Sequence, residues 1–331
     1  MSKSVFVGFL IIFVIGVVLV LSLTKIYFPT QINKLIDTQD KEVRLSGYKY
    51  ISPLLECEDS ESIGQTEYHP SINKMNSIIK EYEKTNKISY ASIYYRDLSN
   101  GPWFGINETD LFAPASLLKV PIMLAFYKQA ESGSDILTKK IKFSGELDSL
   151  NEFYAGSKKL EKGQTYTVDE LINRMIIYSD NDALALLSTV MTDQPVNKVM
   201  NDLGIKLSKG DDSSDYVTVR QYSSLLRVLF NASYLNADYS EKALENLGNI
   251  EFKQGLNKGV PTNILIAHKF GERELTDKTK QLHDCGIIYY PGHPYLLCVM
   301  TRGTDYNNLS DFIGKISNTI YSQINNKYGK H

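Results

Sequence analysis

Ala113-Pro114-Ala115-Ser116-Leu117-Leu118-Lys119-Val120-Pro121-Ile122-Met123-Leu124-Ala125-Phe126-Tyr127 is the stretch around which the chain is organised. From Leu117 onward it is apolar on every side except at Lys119, and a helix that is hydrophobic all round belongs inside a domain. Ser116 and Lys119 then open a buried helix, one turn apart and on one face. The free N–H groups of a first turn carry positive potential, and burial discourages an amine from staying protonated. A serine placed there has what a nucleophile needs. The Ser-x-x-Lys spacing alone decides nothing, because the same pattern begins at Ser22, Ser46, Ser71 and Ser77 with no sign of chemistry. The apolar helix singles out Ser116. Pro121, just behind Lys119, removes one helix hydrogen bond and should loosen the first turns.

Upstream, residues 5–23 are uncharged and as long as a bilayer core requires. They run into Thr24-Lys25-Ile26-Tyr27 rather than the small residues that end a secretory signal, so 1–24 reads as an uncleaved transmembrane anchor. Lys3 and Lys25 flank the span, and orientation is weakly coded. The short N-terminal tail places the rest outside the cytoplasm, a single-pass cell-membrane protein. Residues 25–66, with Pro29, Gly47, Pro53 and the acidic run Glu56-Cys57-Glu58-Asp59-Ser60-Glu61, read as an extracytoplasmic stalk. Ile51, Leu54 and Leu55 are its residues able to dock on the domain next in the chain. Residues 67–331 suffice for one compact domain of two lobes. A net charge of −2 without a basic stripe argues against nucleic acid.

The domain divides by pattern. Ile72, Met75, Ile78, Ile79 and Tyr82 have helical spacing, and 88–95 and 103–106 read as a strand and its hairpin partner. Late in the chain 264–269, 286–290 and 295–301 are further strands, and Ser310 caps a last helix. Between them Thr167-Val168-Asp169-Glu170 and Thr218-Val219-Arg220-Gln221 are capping boxes opening helices. The expected fold is α/β (α+β), an antiparallel sheet flanked by the N- and C-terminal helices plus an all-helical second lobe. The sheet lobe takes 67–112 and 260–331, the helical lobe 113–259. Of the cysteines, Cys57 is alone on the stalk. If Tyr290 pairs with Tyr295, Cys285 falls opposite Met300 rather than Cys298, which argues against a direct bridge.

Two further polar groups stand at element ends. Ser179-Asp180-Asn181 marks the corner between two apolar helices, and Lys269-Phe270-Gly271-Glu272 follows a strand. Each alone is explained as an N-cap and a solvated lysine. Ser116 with Lys119, Ser179 with Asn181, and Lys269 with Gly271, in this order and on these elements, resemble the penicillin-recognising serine hydrolases, most nearly the class A β-lactamase family. The resemblance covers residues 71–328 and implies a β-lactamase/transpeptidase-like fold. It implies Ser116, Lys119 and Ser179 as catalytic, and Asn181, Lys269, Gly271 and Glu272 as substrate-binding. Ser116 attacks, Lys119 is the base and Ser179 relays a proton to the leaving nitrogen. Asn181 holds an amide carbonyl and Lys269 a carboxylate. Gly271 admits a close approach, and the N–H groups of Ser116 and Glu272 form the oxyanion hole.

Two departures qualify the implied activity. Class A enzymes carry a loop glutamate that activates the deacylating water, and 204–216 contains none. Asp211, Asp212 and Asp215 are candidate substitutes, against the plainer reading of a solvated acidic turn, while Glu241 comes too late in the chain. Phe270 stands where the family has a hydroxyl residue; turned into the cleft it removes a donor and adds bulk, turned away it changes little. The expected activity is acyl-enzyme formation with a β-lactam or related amide. A D,D-carboxypeptidase or transpeptidase acting on peptidoglycan peptides, or a non-turnover penicillin-binding sensor, is the alternative. No cofactor is expected, no histidine has metal-ligand spacing, and the chain is expected to be a monomer. Tyr154 is a candidate cleft wall.

Overall fold

The computed structural model describes residues 43–44, 47–56, 69–99, 101–145, 153–205 and 215–329, with side chains omitted at 43–44 and 54–56. The chain separates into two units, 1–43 with 56–60 and 44–55 with 61–331, and only Val43 and Glu56 of the first are described. The apolar run 5–23 and Cys57 lie outside the described residues. Among those described, no helix is long and apolar enough to cross a membrane.

The larger unit is built on one antiparallel sheet. Its strands are β1 (Tyr90–Asp97), β2 (Trp103–Ile106), β3 (Ile266–Glu274), β4 (Lys280–Ile288) and β5 (Tyr295–Gly303), in the order β2-β1-β5-β4-β3. Side-chain alternation gives the sheet two apolar faces. Ala91, Ile93 and Tyr95 of β1 and Leu297 and Val299 of β5 pack with the terminal helices α1 (His69–Lys84) and α8 (Tyr306–Tyr328) through Met75, Ile79, Phe312 and Ile316. Tyr94, Leu296, Cys298 and Met300 point the other way into a second core. That core is filled by α2 (Lys119–Glu131), α3 (Val168–Ile177), α4 (Asn181–Ser188), α5 (Asp193–Asp202), α6 (Val219–Phe230) and α7 (Ala237–Gly248). The class expected from sequence is the class observed.

Helix α2 is the axis of that core. Val120, Met123, Leu124, Phe126 and Tyr127 are fully buried, each contributing about 2 kcal/mol of apolar transfer. Both capping boxes form, Thr167 with Glu170 and Thr218 with Gln221. Three expectations are corrected. The 286–290 strand begins six residues earlier, at Lys280, because Gln281, His283 and Asp284 are buried and hydrogen-bonded rather than solvated. The last helix starts at Tyr306 with Asp305 as its cap, accepting from Asn308 N, while Ser310 is buried inside it. Ile288, not Tyr290, pairs with Tyr295, because Tyr289 N bonds Leu265 O and the turn takes two more residues. The shift puts Cys285 directly opposite Cys298, and the two form a disulfide.

The second unit also includes chain expected in the stalk. Tyr50 and Ile51 are buried against the helical core. Glu241 of α7 holds them, its carboxylate accepting from Lys49 N (2.9 Å), Tyr50 N (3.1 Å) and Ile51 N (2.8 Å). Ser52 N continues to Phe230 O, and Tyr289 donates to Tyr50 O. Charge-assisted bonds of this kind are the strong ones. Glu241→Ala is expected to lower unfolding free energy by about 2 kcal/mol, read as a lower urea midpoint at unchanged slope, with faster hydrogen exchange at residues 49–51.

Candidate active site

Lys119 opens α2, and only 1% of it is exposed. An amine so placed must find acceptors, since an unsatisfied buried polar group is expensive. It donates to Ser179 O at 2.5 Å and Asn181 Oδ1 at 2.7 Å, and lies 3.1 Å from Ser179 Oγ. The corner between α3 and α4 is shaped to offer these atoms. Asp180 caps α4 by accepting from Ala183 N, which accounts for the polar corner, and Ser179 takes a left-handed φ of 56°. A non-glycine residue held there costs on the order of 1–2 kcal/mol.

Lys269 reaches the same hydroxyl from the opposite wall. On edge strand β3 it shares a face with Ala267 and Gly271, is fully buried, and donates to Ser179 Oγ at 3.1 Å and Phe270 O at 3.0 Å. Ser116 lies in the 3₁₀ turn Ala115–Leu118 immediately before Lys119, partly exposed. Residues three apart eclipse in a 3₁₀ turn, so its side chain and that of Lys119 share one side. Lys119 N bonds Ser116 O across that spacing, and Ala115 before it has a φ of 49°.

β3 is pressed against this turn. A Cβ on Gly271 would stand 2.7 Å from Pro114 O and 3.1 Å from Leu117 N, so only glycine fits. The N–H groups on the open side of an edge strand have no ladder partner. The sequence-predicted residues therefore gather from three segments: Lys119, Ser179, Asn181 and Lys269 by direct bonds, Ser116 by the turn, Gly271 and Glu272 by strand contact.

Several supports surround the site; His268 and His283, expected to satisfy hydrogen bonds near the cleft, do so, with partners the sequence does not name. Pro121 has no N–H to give Leu117 O, and the buried Tyr222 hydroxyl donates to that carbonyl at 3.1 Å instead. The proline is the signal from which such a partner could be sought. β4 braces the segment before the turn: Ala113 N donates to Gln281 Oε1, and His283 Nε2 lies 3.0 Å from Ala113 O. Thr301 N donates to His283 Nδ1, which fixes the neutral tautomer with its hydrogen on Nε2. One turn of strand further on, His268 Nδ1 and Asp284 Oδ1 meet at 2.8 Å, and Asp284 also accepts from Leu256 N.

Phe270 is 2% exposed, stacked on Phe252 at 4.0 Å and edge-on to Tyr154, with the Lys269 amine 3.9 Å from its ring centre. The strand thus carries an aromatic wall where a hydroxyl was expected. The segment with Tyr154 is strapped to that wall. Tyr154 N donates to Glu272 Oε1, while the Tyr154 hydroxyl and Ser157 N both donate to Glu251 Oε2. Phe153 stacks on Tyr306. A Cβ on Gly156 would lie 2.3 Å from Tyr178 O, beside Ser179.

The candidate deacylating carboxylates separate by placement. Asp215 accepts from Gln281 Nε2 and pairs with Arg302 at 2.7 Å. Glu241 holds the 49–51 segment. Asp211 and Asp212 lie outside the described residues. Among those described, no cluster of histidine, cysteine and carboxylates is suited to a metal ion.

The family model described as "Beta-lactamase enzyme family" matches residues 72–324. No curated protein sequence matches the chain. Among solved structures, a point mutant of PBP-A in an acyl-enzyme complex with penicillin G is similar at 19% identity and TM-score 0.65, covering 77% of this chain and 97% of its own. A β-lactamase from Sphaerobacter thermophilus is similar at 21% identity and TM-score 0.66, covering 78% and 98%. A class A β-lactamase from Mycobacterium abscessus is similar at 21% and 0.65, covering 76% and 98%.

Burial pushes the His283 pKa down to about 4. Its folded pKa lies below the ordinary value of about 6.5, so the folded chain binds fewer protons between the two. The stability it supplies is complete above the higher value and is lost as pH falls toward the lower. Urea unfolding at pH 7 and pH 4.5 is expected to differ less in His283→Gln than in the parent, by about 2 kcal/mol.

Proposed function

Because the chain belongs to the beta-lactamase enzyme family, we propose that it is a membrane-anchored serine hydrolase forming an acyl enzyme through Ser116 with a β-lactam or related amide. The observation that carries this is the meeting of two buried amines on one hydroxyl, Lys119 and Lys269 on Ser179 Oγ, one turn from Ser116. A point mutant of PBP-A, which shares the fold, is described as an acyl-enzyme complex with penicillin G. The apolar, uncharged run 5–23 supports the anchor.

The chemistry rests on hydrogen-bond capacity. Burial and the neighbouring amine both disfavour a charge on Lys119. A neutral amine has two N–H groups, which Ser179 O and Asn181 Oδ1 engage, and one lone pair for the Ser116 proton. As Ser116 Oγ bonds to the acyl carbon, its proton passes to Lys119. The oxyanion is met by the N–H groups of Ser116 and Glu272, the latter on the edge strand. Ser179 Oγ, accepting from Lys269, directs its own hydrogen to the leaving nitrogen and regains one from Lys119 once that amine has taken the Ser116 proton. Collapse then breaks the C–N bond and leaves the ester.

Hydrolysis of that ester is where the second reading gains. Asp215 and Glu241 are committed to structural partners, and no glutamate lies in 204–216. This favours a long-lived acyl enzyme, the behaviour of a D,D-peptidase or a penicillin-binding sensor.

Incubating the full chain with penicillin G should give an intact-mass increase of one drug that Ser116→Ala abolishes. Persistence of the adduct over hours supports the peptidase or sensor reading, and a transient adduct with accumulating hydrolysed drug supports a β-lactamase. No adduct on the parent protein sinks both. Phe270→Thr, which replaces the ring with a hydroxyl beside Lys269, is expected to raise the acylation rate about tenfold for carboxylate-bearing donors, measured by stopped-flow mass labelling.

A further inference from the structure

On the other half of the sheet, two strands from Lys269, a cavity of about 190 Å³ opens between β1, β2, β5 and α6. One register row, Trp103, Arg96 and Leu296, forms its floor, with Tyr94 two residues along the same face of β1. Arg220, Ser223, Ser224 and Arg227 close it from α6, at positions i, i+3, i+4 and i+7 of one helix face.

Its charges are unbalanced. Three guanidinium groups line the cavity, and among the described residues no carboxylate pairs with any of them. Arg220 lies over the Trp103 ring at 4.8 Å, and Trp103 stacks on Tyr94. Arg220 and Arg227 are exposed and Arg96 half-buried; partial desolvation and then the charge of Arg96 lower the Arg227 pKa. Ser223 is 2% exposed, and its hydroxyl has no hydrogen-bond partner among the described residues. Clustered cations and an orphaned buried hydroxyl both cost stability. An anion with several oxygens removes both costs.

We propose that this cavity binds a phosphate group. Guanidinium forks match tetrahedral oxyanions by paired hydrogen bonds, and three of them suit a dianion better than a single carboxylate. The volume is that of about six waters, room for one phosphate and the first atoms of its ester. The Tyr94–Trp103 stack supplies an apolar wall for that ester. No residue of the cavity belongs to the Ser116 site, so the inference stands apart from the proposed reaction.

Calorimetric titration of the full chain in detergent with inorganic pyrophosphate, and separately with glycerophosphoglycerol as a soluble lipid headgroup, tests the assignment. Saturable binding of one equivalent is expected, weakened about tenfold in Arg96→Gln and in Arg227→Gln, and more modestly in Ser223→Ala. Tighter pyrophosphate binding assigns a soluble phosphate, and tighter glycerophosphoglycerol binding a lipid headgroup. Without phosphate, Arg227→Gln should unfold at an equal or higher urea concentration than the parent, because a repulsion is relieved. Heats no different from sodium chloride at equal ionic strength, binding unaffected by both arginine changes, or a destabilised Arg227→Gln would each overturn the proposal.

Discussion

The amine of Lys119 is the constraint on which the rest of the site depends. A lysine enclosed in an apolar helix is tolerable only with acceptors on every hydrogen it carries. The acceptors come from a different part of the chain, Ser179 O and Asn181 Oδ1 at the α3–α4 corner. Ser179 adopts a left-handed backbone and Asp180 takes over the capping of α4, leaving its neighbours free to face inward. One buried amine thus fixes the start of α2, the break between α3 and α4, and the position of the hydroxyl that Lys269 also reaches.

The second constraint is contact between backbones. Gly271 lets β3 lie against the Pro114–Leu117 turn at a distance no side chain permits, and β4 props the same segment from beneath through Gln281 and His283. Tyr222 completes the arrangement by supplying the hydrogen bond that Pro121 cannot. A turn held from three directions keeps an unfavourable φ at Ala115 that an isolated peptide would relax. That rigidity is what the proposed nucleophile and its oxyanion donors would require, because misplacement of an ångström weakens every contact in the transition state.

Much of this was legible in the sequence where period and chemistry agree. The apolar run after Ser116, the two capping boxes and the 103–106 hairpin partner appear where their residues put them. Failures came where polar side chains are satisfied at long range. Gln281, His283 and Asp284 fall before the expected 286–290 strand, and their partners, 16 to 170 residues away, are not legible in local pattern. The Cys285–Cys298 bridge was missed through a two-residue difference in turn length, and every pairing in an antiparallel hairpin inherits such an error. Helices α5 and α7 were not anticipated although the sequence marks both: Val196, Val199, Met200 and Leu203 recur at helical spacing after Thr192, and Asn236 caps α7 by accepting from Tyr239 N.

One departure from the family pattern, Phe270, forms a wall of β3 beside Lys269. Phe270 gives the Lys269 ammonium an aromatic face where a hydroxyl was expected, and Tyr154 closes over it through Glu251 and Glu272. An anionic substrate would have to compete with that ring for the cation and approach two carboxylates as well. In the proposed reaction the unchanged groups, Ser116, Lys119 and Ser179, would serve bond making, and the changed ones, Phe270 and the glutamate-free loop, would bear on substrate recognition and on release of the acyl group. Attack and release place separate demands on a site of this kind, so a chain can keep the first while altering the second. Under the proposed mechanism, the difference between a rapid hydrolase and a slow acyl carrier would reduce to whether a carboxylate can hold a water against the ester. Asp215 and Glu241 are already engaged elsewhere.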